Sequence, residues 1–159
     1  MPLTQAEANA LLQMPKAFID AAPLDFSRTQ PLSYERLLLS LARREEFLFD
    51  FERGRRNRAR LKYQTRGRKV VILARLDLDG PAHRNPPNSP HLPGQRLPCP
   101  HFHVYTENFE DRIAYAQPTF GDSTCEIPPT ACFASKTSCA TVLCNLCRNS
   151  NRRYESRGM

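Results

Sequence analysis

The sequence predicts an α+β domain: an antiparallel β-meander of five or six strands, able to curl into a half-barrel, with a short N-terminal helix and a C-terminal helix. Three observations support this class. Apolar and polar residues alternate at period 2 in several stretches of the middle of the chain, as in half-buried strands. Glycine and proline separate those stretches, as turns do. A helix-capping signal stands near the start of the chain.

The 159 residues are predicted to form a single domain. Its parts are an N-terminal helix with a linker (1–30), a meander core (34–116) with an inserted proline-rich loop (80–100), and a C-terminal helix with a polar tail (117–159). Thr4 and Glu7 have the spacing of a capping box, and Pro15 ends the first helix. Apolar residues recur in that helix at Ala6, Ala10, Leu11 and Met14.

The segment 34–51 fits two structures. As a helix, it would group four apolar residues on one face: Tyr34, Leu37, Leu38 and Leu41. As a hairpin, it would alternate leucines in its first half and aromatic residues in its second, at Phe47, Phe49 and Phe51. Three aromatic residues at period 2 are typical of a half-buried strand. We therefore predict two strands for this segment.

Four further strands are predicted after this hairpin. Their sequences are RARLKYQT, KVVILARLDLDG, HFHVY and RIAYA. The first would place Arg58, Arg60 and Lys62 on one face. Seven prolines fall in the twenty residues 81–100, between the second and third of these strands. Long loops of this kind inside a compact domain are usually functional or disordered.

The six cysteines all lie from Cys99 onward, and five of them are in the last third of the chain. The N-terminus lacks the basic and apolar regions of a signal peptide, which predicts a cytoplasmic protein without structural disulfides. No apolar run approaches the roughly 18 residues of a membrane helix, so no membrane partner is expected. Cys144 and Cys147 form a single Cys-x-x-Cys pair within a helical pattern, and a structural zinc site needs more than this. Buried thiols are the better interpretation.

The positive charge of the chain is concentrated in one band. The net charge is +7, and nine Lys or Arg with no Asp or Glu fall in the basic band, residues 53–69. This density of positive charge favours a polyanionic binding partner, above all nucleic acid, although a solvated surface would also explain it. The predicted nucleic-acid contacts are Arg53, Arg55, Arg56, Arg58, Arg60, Lys62, Arg66, Arg68, Lys69 and, from the proline-rich loop, Arg84.

The strand HFHVY carries the candidate chemistry. His101, His103 and Tyr105 share parity and are predicted to form one row on one face of the strand. With Glu107, the histidines have the His-x-His-x-x-x-Glu spacing of a cupin-type metal site, but the later glycine and second motif of cupins are missing. No cofactor is therefore predicted, and a divalent metal on His101, His103 and Glu107 is a weak candidate.

Three other interpretations of this row remain open. Histidines transfer protons near neutral pH, and Arg75, Arg84 or Arg112 could stabilise a phosphorane-like charge, which would make an RNA-cleaving site. The row could instead stack on bases without cutting. The residues could also face solvent in an ordinary one-sided sheet. The predicted catalytic set, should there be catalysis, is His101, His103, Tyr105, Glu107, Arg75 and His83.

Three stretches resemble an uncharacterised family of small bacterial proteins often seen in phage-like or mobile-element-like settings. They are REEFLFDFERGR, KYQTRGRKVVILARLDLDGPAHRNPP and CPHFHVYTENFEDRIAYA, within Arg44 to Ala116. The resemblance implies no activity. It implies that nine residues belong to one site: Arg75, Asp77, His83, Arg84, Asn85, His101, His103, Tyr105 and Glu107. After Ala116 this chain departs from the family pattern, being rich in Cys, Ser and Asn instead of apolar and aromatic residues.

These observations together predict a protein that engages nucleic acid, with RNA favoured, through the basic band next to the His/Tyr strand. The resemblance places it in a phage, mobile-element or toxin–antitoxin conflict system. One alternative is a metal-independent endoribonuclease toxin that uses the histidine pair. Another is an inhibitor that binds a protein partner of a defence or antitoxin system.

Overall fold

The computed structural model describes residues 2–20, 32–57 and 59–116 of the chain. This part contains one helix followed by strands. In chain order they are α1 (Gln5–Gln13), β1 (Lys16–Phe18), β2 (Ser33–Ser40), β3 (Glu46–Arg53), β4 (Leu61–Gly67), β5 (Val71–Leu78), β6 (His83–Arg84), β7 (Arg96–Leu97), β8 (His101–Val104) and β9 (Ala114–Ala116).

Seven strands form one antiparallel sheet in the order β1-β2-β3-β4-β5-β8-β9, and β6 pairs with β7 in a separate two-stranded ladder. The predicted meander is confirmed, with seven strands where five or six were expected. The additional strand is β1, which lies in the predicted linker and is too short to show a period. The sheet is open, not a closed barrel. The predicted C-terminal helix lies outside the described residues.

Segment 34–51 is a hairpin, as predicted. β2 and β3 pair in antiparallel register with Leu38 opposite Phe47. The three alternating phenylalanines, Phe47, Phe49 and Phe51, are each no more than 1% exposed and form the centre of the apolar core. Because period-2 aromatic residues can be buried on a single face only in a strand, this pattern excluded the helical alternative.

α1 packs on the apolar side of the sheet. Its predicted capping box is present, with the Thr4 side chain and the Glu7 side chain each bonding to the other residue's backbone N–H. The predicted apolar stripe was only partly right: Leu11 is buried, but Ala6 and Ala10 are exposed and Ala8 is buried instead. Leucine side chains decide which face of α1 is buried, because each alanine offers too little apolar area to compete.

Lys16 connects α1 to the sheet. Its Nζ donates to the carbonyl oxygens of Leu11 (2.6 Å) and Met14 (2.7 Å) at the end of α1, where helical carbonyls lack partners. The ammonium also lies 4.4 Å from the centroid of the Phe47 ring. The residue is 6% exposed, so these contacts replace water that the ammonium loses on burial.

Replacing Lys16 with methionine should lower the free energy of unfolding by about 2 kcal/mol, because buried carbonyl oxygens lose a charged donor. Urea denaturation followed by circular dichroism measures this change. Lys69→Met is the matched control, since the Lys69 side chain is 69% exposed, and it should change stability by no more than about 0.5 kcal/mol. Equal midpoints for the two variants would show that the helix-end contacts contribute nothing.

The proline-rich loop is ordered. Its β6–β7 ladder pairs His83 with Leu97 and Arg84 with Arg96. Asn85 is 1% exposed and joins the loop to β9: its Oδ1 accepts from Ala114 N (2.8 Å) and its Nδ2 donates to Ala114 O (3.1 Å). The loop is thereby attached to the β9 edge of the sheet. Among the described residues, no helix is long and apolar enough to cross a membrane.

Candidate functional site

The polar face of β5 and β8 carries a cluster of charged and imidazole side chains. On β5, Arg75 and Asp77 alternate with buried Leu76, so both point away from the apolar core. β8 pairs with β5 so that His103 lies opposite Arg75 and His101 lies opposite Asp77. This register brings the two histidines and the two charged residues together.

The Asp77 carboxylate is the centre of this cluster. Its Oδ2 lies 3.3 Å from His103 Nε2, 3.5 Å from His101 Nε2 and 3.1 Å from Arg75 Nε. Burial alone would raise the pKa of Asp77, but its contacts with the two histidines and with Arg75 outweigh burial and hold the pKa well below its usual range. Asp77 is therefore an anion facing two imidazoles and a guanidinium.

Both histidines of β8 are buried, with His101 2% and His103 0% exposed. Burial lowers the pKa of His103, and the Arg75 charge adds to this effect, so the ring is neutral at neutral pH. His103 Nε2 lies 2.9 Å from Arg75 Nη2, whereas its Nδ1 has no hydrogen-bond partner among the described residues. Rings buried this deeply cannot stack on bases, which argues against the expected stacking row.

Two elements outside the sheet complete the cluster. His83, on β6, packs its ring against His103 and His101 at centroid distances of 4.7 and 5.8 Å. Its Nε2 lies 2.8 Å from the carbonyl oxygen of Arg112 and must donate there. Asp111, from the turn before β9, forms an ion pair with Arg75. His83 is only partly buried, which makes it the most accessible imidazole of the three.

A cleft of about 420 Å³ joins this cluster to the basic band. Its cationic wall comes from the β3–β4 end of the sheet, and its other wall from β5, β8 and the proline-rich loop. The charged and imidazole side chains that line it are Arg53, Arg60, Lys62, Arg75, Asp77, His83, His101 and Glu52. The cleft therefore combines cations, imidazoles and two carboxylates on one lining.

The basic band does not form one continuous surface. Its Gly54–Arg60 turn lies at the cleft end of β4, and β4 begins at Leu61, later than predicted. Arg66, Arg68 and Lys69 lie about 20 Å away at the far end, where they pair with Asp50, Glu7 and Glu46. Arg55, Arg56 and Arg60 are exposed at the cleft end, and none has an acidic partner among the described residues. Arg58 is outside those residues.

Two residues of the predicted catalytic set lie elsewhere. Tyr105 is 1% exposed and donates its hydroxyl to Leu3 O (2.8 Å), so it belongs to the core and not to a row with the histidines. β8 ends at Val104, and parity no longer applies beyond a strand's end. Glu107 is carried by the next turn to α1, where its Oε2 accepts from Gln5 N (3.0 Å). The carboxylate beside the histidines is Asp77.

Two further residues of the predicted site, Arg84 and Asn85, have structural roles in the proline-rich loop. Arg84 is exposed and donates to Gly94 O (2.9 Å) within the loop, and Asn85 acts as the loop's buried attachment. Sequence reasoning missed Asp111 altogether. No spacing signal could have found it, because a turn in the structure brings it to Arg75, 36 positions earlier in the chain.

Fold and site together define an open antiparallel-sheet protein with a partly buried His/Asp/Arg cluster in a cleft that also has a basic wall. The chain belongs to a family of unknown function, DUF6978, whose model matches residues 3–148. The matched range includes Arg44 to Ala116 and continues past the point at which the sequence pattern changes. No curated protein and no solved structure matches the chain.

Proposed function

We propose that this protein binds single-stranded nucleic acid, RNA in preference, with the phosphate backbone lying in the basic cleft. The observation that carries the proposal is the cleft itself, which places Arg53, Arg60 and Lys62 on the same opening as His83 and His101. Lys62 is paired with Glu52 (2.8 Å), whereas Arg55, Arg56 and Arg60 are exposed at this end and have no acidic partner among the described residues. Exposed cations of this kind attract phosphates and release counterions. The basic band is divided between the two ends of β4, so only the cations at the cleft end are expected to contact phosphates.

The choice of RNA rests on the imidazoles. The 2′-hydroxyl distinguishes RNA from DNA because it can both donate and accept a hydrogen bond. A neutral imidazole also has one donor and one acceptor nitrogen. His83 is partly exposed at the cleft and donates through Nε2 to Arg112 O, which leaves Nδ1 for a ligand. RNA and DNA of the same sequence should therefore differ in affinity.

Reversing three charges at the cleft end tests the proposal. The triple variant Arg55→Glu, Arg56→Glu, Arg60→Glu should bind labelled single-stranded RNA about 100-fold more weakly at 0.1 M salt, and its salt slope should fall by about 2. Fluorescence anisotropy across a salt series measures both quantities. Arg43→Glu, Arg44→Glu, Lys69→Glu is the matched control: it changes the net charge equally at the opposite end of the sheet. Equal losses in the two triples would show that only net charge matters.

A second candidate, RNA cleavage, is favoured by the contact of His83 with both buried histidines. One neutral imidazole would remove the proton of a 2′-hydroxyl, O2′ would bond to phosphorus, the P–O5′ bond would break, and a second imidazole in its protonated form would transfer its proton to O5′. Incubation with RNA on a denaturing gel, beside a native gel, separates the candidates. Cleavage lost in His83→Ala with binding retained supports the nuclease. A shift without cleavage supports binding alone.

The proposed setting is a cytoplasmic role in a phage, mobile-element or toxin–antitoxin conflict system. The sequence resemblance to proteins of phage-like and mobile-element-like settings supports the mobile-element part of it. A protein partner from such a system is the remaining alternative, and its surface would be acidic to match the cleft. Absence of both a gel shift and cleavage, in 0.15 M salt, would favour this alternative over nucleic acid.

A further inference from the structure

The contacts of the cluster place three electron-pair donors around one point. Asp77 Oδ2 lies 3.3 and 3.5 Å from the Nε2 atoms of His103 and His101. Ligand-donor atoms of these three residues all lie within 4.8 Å of one another. Two ligand atoms on a tetrahedral Zn²⁺ with bonds of about 2.0 Å are separated by about 3.3 Å. The carboxylate–imidazole distances are therefore those of neighbouring ligands in a metal site.

A hydrogen bond orients the His101 ring. Its Nδ1 lies 3.1 Å from the carbonyl oxygen of Pro98, which can only accept, so Nδ1 donates and Nε2 points at the Asp77 carboxylate. Histidines that bind metal are commonly oriented in this way, by a backbone carbonyl on the other nitrogen. His103 Nε2 lies between an acceptor, Asp77 Oδ2 (3.3 Å), and a donor, Arg75 Nη2 (2.9 Å). A metal ion bound to the two Nε2 atoms would take the place of a proton or of the Arg75 donor between them and the carboxylate.

We propose that Asp77, His101 and His103 bind a divalent transition metal ion, in competition with the Arg75 guanidinium. Two imidazoles and one carboxylate are the donors such ions take, and the ion's remaining positions would face the cleft. The site is separate from the cationic wall, so metal binding does not depend on the proposed RNA binding. A metal beside His83 would also make any cleavage sensitive to chelator.

The Arg75 guanidinium occupies part of the proposed metal site. Its Nε contacts Asp77 Oδ2 and its Nη2 contacts His103 Nε2, which are two of the atoms that would bind the metal ion. Its Nη1 contacts Asp111. The guanidinium can keep its ion pair with Asp111 when it leaves the other two contacts. It therefore acts as an internal cation that a metal ion must displace. Removing it should strengthen metal binding, an outcome that a misfolded variant would not give.

Titration of the chelator-stripped full-length protein with Co²⁺ tests the site, because tetrahedral Co²⁺ has visible absorption bands whose position reports the ligands. Replacing the six cysteines with serine removes competing thiolates. We expect one Co²⁺ per chain in this background, at least about 100-fold weaker binding in Asp77→Asn and His103→Gln, and about tenfold tighter binding in Arg75→Met. Glu107→Gln is the matched control and should bind as the parent does, because Glu107 contacts α1 instead.

Two results would overturn the proposal. One is that neither the cysteine-free parent nor its Arg75→Met variant binds Co²⁺. The other is that Asp77→Asn and Glu107→Gln bind it with the same affinity. Circular dichroism of each variant shows whether the sheet is intact, and gained affinity in Arg75→Met reports the site even where another variant has unfolded.

Discussion

Replacing Asp77 with asparagine should lower the free energy of unfolding by about 3 kcal/mol. The carboxylate lies among Arg75, His101 and His103, and its side chain is only 22% exposed. Removing one partner of such a group leaves a buried charge whose desolvation is no longer compensated. Arg75 keeps its ion pair with Asp111, which limits the loss. Urea denaturation of the purified variant gives the value.

Asp79→Asn is the matched control for this change. Asp79 lies just beyond the end of the same strand, is exposed, and accepts one hydrogen bond, from Asn57 Nδ2 (2.9 Å), that an asparagine oxygen can also accept. Its replacement should change stability by no more than about 0.5 kcal/mol. If the two variants unfold at the same urea concentration, the cluster around Asp77 does not contribute to the stability of the fold.

Replacing Asn85 with alanine should cost about 3 kcal/mol. Its amide forms buried hydrogen bonds with both backbone groups of Ala114 and a partly buried one with His91 O (3.1 Å). Ala114 is 0% exposed, so its N–H and C=O would lose partners that water cannot replace. Asn85 acts in place of a further strand along β9. Denaturant unfolding measures the cost, and amide exchange in the loop should rise with it.

Asn88→Ala provides the comparison, because Asn88 belongs to the same loop but is exposed. We expect it to unfold within about 0.5 kcal/mol of the parent. The same two variants also test function. Asn85 directly follows β6, the strand that carries His83, so losing its contacts should displace His83 from the cleft. RNA affinity that falls in Asn85→Ala and not in Asn88→Ala would show that the attached loop completes the cleft. Identical behaviour of the two asparagine variants would contradict both expectations.

The fold was largely predictable because its strands carry strong period-2 patterns. Phe47, Phe49 and Phe51 identified β3, and the Thr4–Glu7 capping box identified the start of α1. Short elements were not predictable: β1 has three residues, and β6 and β7 have two each. Elements of this length are stabilised by the strands beside them, and that information lies elsewhere in the chain.

From the residue pattern alone, the site was predictable only as far as parity within one strand, whereas the family resemblance also grouped Arg75, Asp77 and His83 with the two histidines. Parity placed His101 and His103 on one face, but it failed at Tyr105, because β8 ends first and the Tyr105 N–H donates to Leu73 O. Sequence distance suggested Glu107 as the carboxylate, and the direction of the turn took it away. Asp77 comes from a strand that pairs with β8 across a long loop, and nothing in the local sequence specifies that pairing.

The order of events in folding follows from the position of the proline-rich loop. β2 to β5 are consecutive hairpins joined by short turns, whereas residues 79–100 separate β5 from β8. Closing a long loop costs more chain entropy than closing a turn, and contacts distant in sequence form slowly. We therefore expect the hairpins to assemble first and β8 to join an existing sheet edge. Arg75 and Asp77 lie on that edge, so we expect the histidine cluster to form only after the hairpins have formed.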